Sequence, residues 1–158
     1  MASTEIPTER RAAVLEKTRR FYEGTCGLPA RIRPEFARLE FTVGSVGAVM
    51  MPARIGALVK ARMLAQPYGQ AGPIVSHPRS KRWTFLVHPD IPYDIALFAE
   101  LGRDNVSVVP VGSEVPLPSP FAQLLSYREW VLEPINDFRP SGLAVVNMIR
   151  SCVSPLGR

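Results

Sequence analysis

The spacing of apolar residues divides the chain into helical and extended segments. Near the N-terminus, apolar side chains recur every three or four residues, the spacing that places them on one face of a helix. We predict that this helix has Thr8 as its N-cap and ends at Gly24 and Gly27, because serine, threonine and glycine favour these positions. Its apolar stripe consists of Val14, Leu15, Thr18, Phe21 and Tyr22.

Three later segments also have helical spacing. One begins at Pro52, which suits the first turn of a helix because its missing N–H would have no partner there. Asp90 is predicted to cap the next helix, which ends at Gly102, and Ser141 is predicted to cap the last. In the first of these helices, Ile55, Leu58, Val59 and Met63 are expected to face the core. The second runs through Ile95, Phe98 and Leu101, and the third contains Leu143, Val146, Ile149, Arg150 and Val153.

Runs of β-branched and aromatic residues predict strands between these helices. Residues 74–88 are expected to form a hairpin with a polar tip over residues 77–81. Three prolines interrupt residues 112–120, so this stretch is not expected to be a central strand. The helix and strand order predicts an α+β fold in one domain. The other predicted extended segments are 36–43, 46–51, 105–109 and 127–132.

Length and composition limit the class of protein. A chain of 158 residues suffices for one domain with one core. No run approaches the roughly 18 apolar residues of a membrane span, and residues 1–5 lack the basic and apolar regions of a secretory signal. Two cysteines, Cys26 and Cys152, are too few for a disulfide framework. We therefore expect a cytoplasmic protein without membrane contact.

Positive charge is concentrated in the first half of the chain. Residues 1–82 contain 14 bases and six acids, a net charge of +8, whereas residues 83–158 contain five bases and eight acids, a net charge of −3. This polarity is typical of a protein with an anionic partner such as nucleic acid or nucleotide. The alternative is that the basic residues only solvate helix faces.

The densest group of bases lies at the tip of the predicted hairpin. Arg79, Lys81 and Arg82 occupy three of four consecutive positions, and Trp83 follows directly. Guanidinium groups can hold phosphates and an indole ring can stack on a base, which makes these residues candidates for nucleic-acid or nucleotide binding. The alternative is a basic turn followed by a core tryptophan.

The chain lacks the residue spacings that are typical of familiar catalytic centres. Two-metal phosphoryl transfer commonly uses an Asp-x-Asp pair on a strand, but the closest acids here stand four residues apart. Ser76 and His77 are neighbours without a G-x-S-x-G elbow, and no Walker A sequence occurs. We expect no catalytic residue, metal or cofactor. An alternative is a metal site assembled from distant acids, with Asp90, Asp94 and Asp104 as ligands.

The order of these segments resembles the N-terminal domain of bifunctional primase-polymerases of the archaeo-eukaryotic primase superfamily, especially the short actinobacterial versions. The similarity extends from Leu28 to Val153 and implies an RRM-like mixed or antiparallel sheet with flanking helices. Residues 1–27 would then be an added N-terminal helix and residues 154–158 a tail. The family's Asp-x-Asp strand corresponds to residues 47–54, and its histidine-bearing hairpin corresponds to residues 74–87. Its acidic strand corresponds to residues 105–109 and its proline-rich strand to residues 115–120. Its aromatic pair corresponds to Tyr127 and Trp130.

Departures from the family motifs change the expected function. Met50 and the pair Met51-Pro52 stand in place of the two aspartates, and Asn105 stands near the third acid. Magnesium prefers oxygen ligands, so methionine cannot replace these carboxylates. The resemblance therefore implies a catalytically inactive domain that retains binding of nucleic acid or nucleotide, including DNA. Its candidate contacts are His77, Arg79, Lys81, Arg82, Trp83 and Arg54.

Two other functions remain open from the sequence. The chain could be a protein–protein adaptor or regulatory subunit, or could self-associate, since residues 110–120 are proline-rich and its two halves differ in charge. It could also be an active nucleotidyltransferase with the rearranged ligands Asp90, Asp94 and Asp104.

Overall fold

Helices pack against two antiparallel sheets in the computed structural model, which describes residues 7–121 and 128–154. The predicted α+β class is confirmed, and the described residues form one small domain. No helix in these two ranges is long and apolar enough to cross a bilayer. The helices are α1 (Thr8–Arg20), α2 (Ala53–Ala65), α3 (Ile95–Gly102) and α4 (Gly142–Val153).

Eight strands of the described ranges form a three-stranded sheet, in the order β1-β2-β7, and a five-stranded sheet, in the order β6-β3-β5-β4-β8. Neighbouring strands in both sheets are antiparallel. The proline-rich strand β7 lies at an edge of its sheet, where a missing N–H is tolerated. The strands are β1 (Ala30–Arg33), β2 (Arg38–Thr42), β3 (Gly47–Pro52), β4 (Ile74–His77), β5 (Arg82–Val87), β6 (Ser107–Val108), β7 (Glu114–Leu117) and β8 (Glu129–Leu132).

The five-stranded sheet contains two interlocked split β-α-β units. Helix α2 connects β3 to β4, and β5 lies between these two strands. Helix α3 connects β5 to β6, and β3 lies between them. This β-α-β-β-α-β arrangement is that of an RRM-like sheet, to which β8 adds an edge strand.

Side-chain alternation along the strands gives the large sheet two covered faces. Val49, Met51 and Phe85 point to the face on which the helices α2, α3 and α4 pack. Ala48 and Leu86 point to the other face, which packs on the three-stranded sheet and α1. We call these the helix face and the small-sheet face.

The first predicted helix differs from the structure at both ends. Pro7 is the N-cap, and the predicted cap Thr8 is already the first helical residue. At the other end, one π-helical turn over Phe21–Thr25 follows α1. The buried Tyr22 of this turn donates to the Pro118 carbonyl over 2.6 Å and accepts from Trp130 Nε1 over 3.1 Å. The family resemblance pairs Trp130 with Tyr127, which lies outside the described residues.

Two further predictions about single elements were wrong. Leu58 is 51% exposed, because the buried stripe of α2 passes through Ile55, Gly56 and Val59 instead. The predicted strand over 36–43 begins only at Arg38, after a short 3-10 turn.

Candidate nucleic-acid interface

The β4–β5 hairpin presents the predicted basic tip. Its turn is closed by bonds from Ser80 N to His77 O, over 3.2 Å, and from Lys81 N to Pro78 O, over 3.3 Å. Lys81 has a φ of 56°, a left-handed conformation that reverses the chain into β5. The side chains of Arg79 and Lys81 are exposed, so both cations are available to a ligand.

The hairpin tip lies against the first turn of α2. Ala53 N donates to the Lys81 carbonyl over 2.9 Å, which fixes the tip beside the helix. Pro52 is the N-cap and offers no side-chain hydrogen bond to this helix end. The positive end of the helix dipole therefore adds to the charge of Arg54 and Lys81. These groups meet at a cleft of about 450 Å³, lined by Pro52, Ala53, Arg54, Ser76, Pro78 and Lys81.

His77 has a structural position beneath this tip. It is only 5% exposed, and its Nε2 lies 2.7 Å from Thr84 Oγ1 on the neighbouring strand. Burial, together with the charges of Arg128 and Arg82, lowers the pKa of His77 to about 4. The imidazole is therefore neutral near pH 7 and supplies no charge to an anionic ligand.

Two arginines flank His77 across the strands of the small-sheet face. Arg82 pairs with His77 in the register of β4 and β5. Glu129 pairs with Ser76, which places the preceding residue, Arg128, beside His77 on the other side. Adjacent strands are about 4.8 Å apart, so Arg82, His77 and Arg128 form a row that spans about 10 Å.

More arginines surround this row. Burial and the nearby charges of Arg38 and Arg79 lower the pKa of Arg128. Arg38 is bound to Glu40 over 3.1 Å, and Arg82 donates to the Asn105 carbonyl over 2.8 Å. The hairpin thus has basic residues on both flanks, with Arg54 and Lys81 on the side of α2 and Arg38, Arg82 and Arg128 on the other.

Trp83 lies on the opposite side of β5 from His77 and Arg82. Its ring packs against Gly56 of α2, where an added Cβ would approach Trp83 Cε3 to 2.6 Å. The indole is half-buried and borders the helix-side core. The structure therefore does not bring Trp83 together with the arginines of the small-sheet face.

Neutral side chains occupy the position at which the family resemblance expects carboxylates. Met50 pairs with Thr84 on one side and with Ser107 on the other, so its row of the sheet contains no acid. Met51 points to the opposite face and is fully buried. Asn105 precedes β6 and has a φ of 58°, in the loop that receives the Arg82 bond. These side chains offer no oxygen-rich site for a hard cation.

Two of the three acids expected in a rearranged metal site stabilise helix N-termini instead. Asp90 does not cap α3; it accepts bonds from Leu143 N over 2.9 Å and from Ser141 Oγ, and so supports the start of α4. Asp94 is the actual N-cap of α3 and accepts from Leu97 N over 3.1 Å. Asp104 lies beyond the other end of α3. Across residues 7–121 and 128–154, no three His, Cys, Asp or Glu side chains are grouped so as to hold a metal ion.

Two functional candidates, Arg38 and Arg128, were missed from the sequence. Arg128 lies within the predicted extended segment 127–132, but only the register with β4 places it beside His77. Arg38 belongs to the other sheet and is distant from the hairpin in sequence. Comparison of the chain with protein-family models, with curated proteins and with solved structures gives no match.

Proposed function

We propose that this chain is a catalytically inactive primase-polymerase-like domain that binds nucleic acid through the basic end of its β4–β5 hairpin. The observation that carries the proposal is the presence of basic side chains on both flanks of one exposed turn. Arg79 and Lys81 are exposed at the tip, and Arg54 joins Lys81 at the cleft beside α2. Arginine and lysine in this arrangement suit successive phosphates of a nucleic-acid strand.

The neighbouring residues favour phosphate contacts over base contacts. Met50, Thr84 and Ser107 share the small-sheet face with Arg82, and none of them is aromatic. RRM domains stack bases on aromatic residues of their sheet, whereas here Trp83 packs against α2. We therefore expect binding with little sequence preference, because phosphate contacts do not distinguish bases.

In this proposal catalysis is lost because Met50 and the residues that pair with it on the neighbouring strands carry no negative charge. Nucleotidyl transfer needs groups that neutralise the charge developing on the triphosphate. Met50 stands where the family has an aspartate, its strand neighbours Thr84 and Ser107 are neutral, and Asp90 and Asp94 are engaged at helix N-termini. The domain would thus bind a polyanion without transforming it.

The salt dependence of oligonucleotide binding tests this proposal. Three phosphate contacts give a slope of log K against log[salt] of about −2 for a single strand and about −2.7 for a duplex. Raising salt from 50 to 200 mM should then weaken binding about 20-fold and about 40-fold, respectively. The measurement is fluorescence anisotropy of labelled single-stranded DNA, single-stranded RNA and duplex DNA, with a nucleoside triphosphate as competitor.

Three results would count against nucleic-acid binding at this surface. The first is the absence of binding to every oligonucleotide at 50 mM salt, a condition under which phosphate contacts are strong. The second is an affinity that does not change with salt. The third is full displacement of the oligonucleotide by the nucleoside triphosphate at equal phosphate concentration, which would identify a mononucleotide as the ligand.

A further inference from the structure

The outer face of the three-stranded sheet carries a cluster of arginines around a buried acid. Leu39 of β2 points into the core, so its neighbours Arg38 and Glu40 point to the opposite, outer face. Glu40 is nevertheless only 1% exposed, between Arg31 of β1 and Pro116 of β7, which pair with it in the sheet. This face of the sheet therefore buries a carboxylate in place of an apolar side chain.

Two acids hold three arginines in fixed orientations on this outer face. Glu40 forms an ion pair with Arg38 over 3.1 Å and accepts a hydrogen bond from Arg33 Nε. Arg33 also donates to both carboxylate oxygens of Glu114, over 2.8 and 2.9 Å. Arg31 donates to Glu114 as well, and its Nε lies 3.7 Å from Glu40. The carboxylates thus bind the edges of the guanidinium groups and fix the direction in which their flat faces point.

This arrangement costs stability that an ordinary sheet surface would retain. Arg33 and Arg38 stand directly opposite each other in the register of β1 and β2, and like charges in such pairs are destabilising. Removing the Glu40 carboxylate from water is also unfavourable, and its ion pairs only offset that cost. The side chains of Arg31 and Arg33 nevertheless remain 53% and 40% exposed. Oriented, exposed groups that are kept at a cost in stability are typical of a binding surface.

We infer that Arg31 and Arg33 form a stacking platform for the bases of the strand that the hairpin binds, which presupposes the function proposed above. A phosphate binds the edge of a guanidinium group, but Glu40 and Glu114 already bind those edges and would repel a phosphate. The exposed flat face instead suits a planar ring, and bases are the planar rings of a nucleic acid. Every base has such a ring, so stacking adds affinity without sequence preference.

The platform lies on the same side of the domain as the basic row beside His77. Trp130 Nε1 of β8 donates to the Tyr22 hydroxyl over 3.1 Å, and that hydroxyl donates to the Pro118 carbonyl over 2.6 Å. Pro118 directly follows Leu117, which pairs with the residue after Arg38. These contacts place the start of β2 beside β8, so Arg38 lies between the row and the platform. One single strand can therefore contact both, whereas the bases of a duplex are paired and cannot lie flat on the platform.

Fluorescence anisotropy with intact and abasic strands separates base stacking from phosphate contacts. The wild type should bind an oligothymidylate of about 12 nucleotides at least about fivefold more tightly than an abasic strand of equal length, since each of two guanidinium–base stacks contributes about two- to fivefold. Arg31→Lys, Arg33→Lys keeps both positive charges but removes the flat guanidinium groups, so it should lose this difference. Arg10→Lys, Arg103→Lys is the matched control, because both residues are exposed and lie on other elements.

Glu40→Gln tests whether the buried acid positions the platform. This change removes a negative charge, so charge alone predicts tighter binding of both strands to the same degree. Loss of the fixed arginines instead predicts a smaller difference between the intact and abasic strands. Binding of the abasic strand, which the hairpin holds, reports that each variant is folded.

Two results would overturn the stacking platform while leaving the hairpin interface in place. One is equal affinity of the wild type for the intact and abasic strands. The other is an Arg31→Lys, Arg33→Lys variant that keeps the wild-type difference. Failure of the wild type to bind either strand at 50 mM salt, a condition under which phosphate contacts are strong, would contradict the proposed function together with the platform.

Discussion

The triple variant Arg54→Gln, Arg79→Gln, Lys81→Gln is expected to bind oligonucleotides at least about 100-fold more weakly than the wild type at 50 mM salt. A hydrogen bond to a charged group such as a phosphate contributes about 1.5–3 kcal/mol, so the loss of three exceeds the roughly 2.7 kcal/mol of a 100-fold change. The slope of log K against log[salt] should become shallower, for each phosphate that is no longer neutralised, by about 0.7 with a single strand and about 0.9 with a duplex. Anisotropy titrations at several salt concentrations give both quantities.

A control of equal charge separates local contacts from net charge. Arg10→Gln, Lys17→Gln, Arg103→Gln also removes two arginines and one lysine, all of them exposed and none in the hairpin. It should retain most of the affinity and most of the salt dependence. Equal weakening in the two triple variants would show that net charge alone drives binding, and would contradict the assignment of the hairpin as the interface.

Acidification should destabilise the fold through His77. The folded protein disfavours protonation of this residue, with a pKa of about 4 against 6.5 for an unperturbed histidine. The unfolded chain therefore takes up the proton first as the pH falls. The stability that the neutral imidazole contributes is complete above pH 6.5 and is lost progressively down to pH 4, a total of about 3 kcal/mol.

Urea unfolding at several pH values measures this effect. His77→Gln can keep a hydrogen bond to Thr84 but cannot be protonated, so its free energy of unfolding should fall less steeply between pH 6.5 and 4 than that of the wild type. The carboxylates titrate in both proteins, so their contribution to the pH dependence of the free energy of unfolding cancels in the comparison. Parallel pH profiles for the two proteins would show that His77 is not held neutral by its surroundings.

Local features of the fold could be predicted from the sequence because neighbouring residues determine them. Ser141 caps α4 as expected and accepts from Ala144 N over 3.2 Å. The polar tip over residues 77–81 forms the hairpin turn, and Gly102 ends α3. In each case a short run of residues favours one backbone conformation, so the prediction needs no knowledge of tertiary contacts.

Features that depend on distant segments could not be predicted. Asp90 stands where a cap for α3 was expected, but its carboxylate instead binds the start of α4, about 50 residues later. Asp94, four residues further on, is close enough to α3 to cap it. Strand β1, short and bordered by Pro29 and Pro34, exists because it pairs with β2, and its own pattern does not indicate a strand.

The candidate site also combines features that neighbouring residues determine with features that depend on distant segments. Arg79 and Lys81 belong to one turn and could be identified by their density alone. The opposite orientations of Trp83 and Arg82 follow from strand alternation, but which face is covered by a helix depends on the path of α2. The position of Arg128 beside His77 depends on register, which single-sequence patterns do not determine.

A comparison of binding and nucleotide transfer with and without a divalent cation decides whether the domain is an inactive binder of nucleic acid. A labelled primer–template is titrated with the full chain in EDTA and in Mn²⁺ with nucleoside triphosphates, and the same samples are analysed for primer extension. We expect the same affinity in both conditions and no extended primer. Extension of the primer, or binding that requires Mn²⁺, would contradict the proposed function.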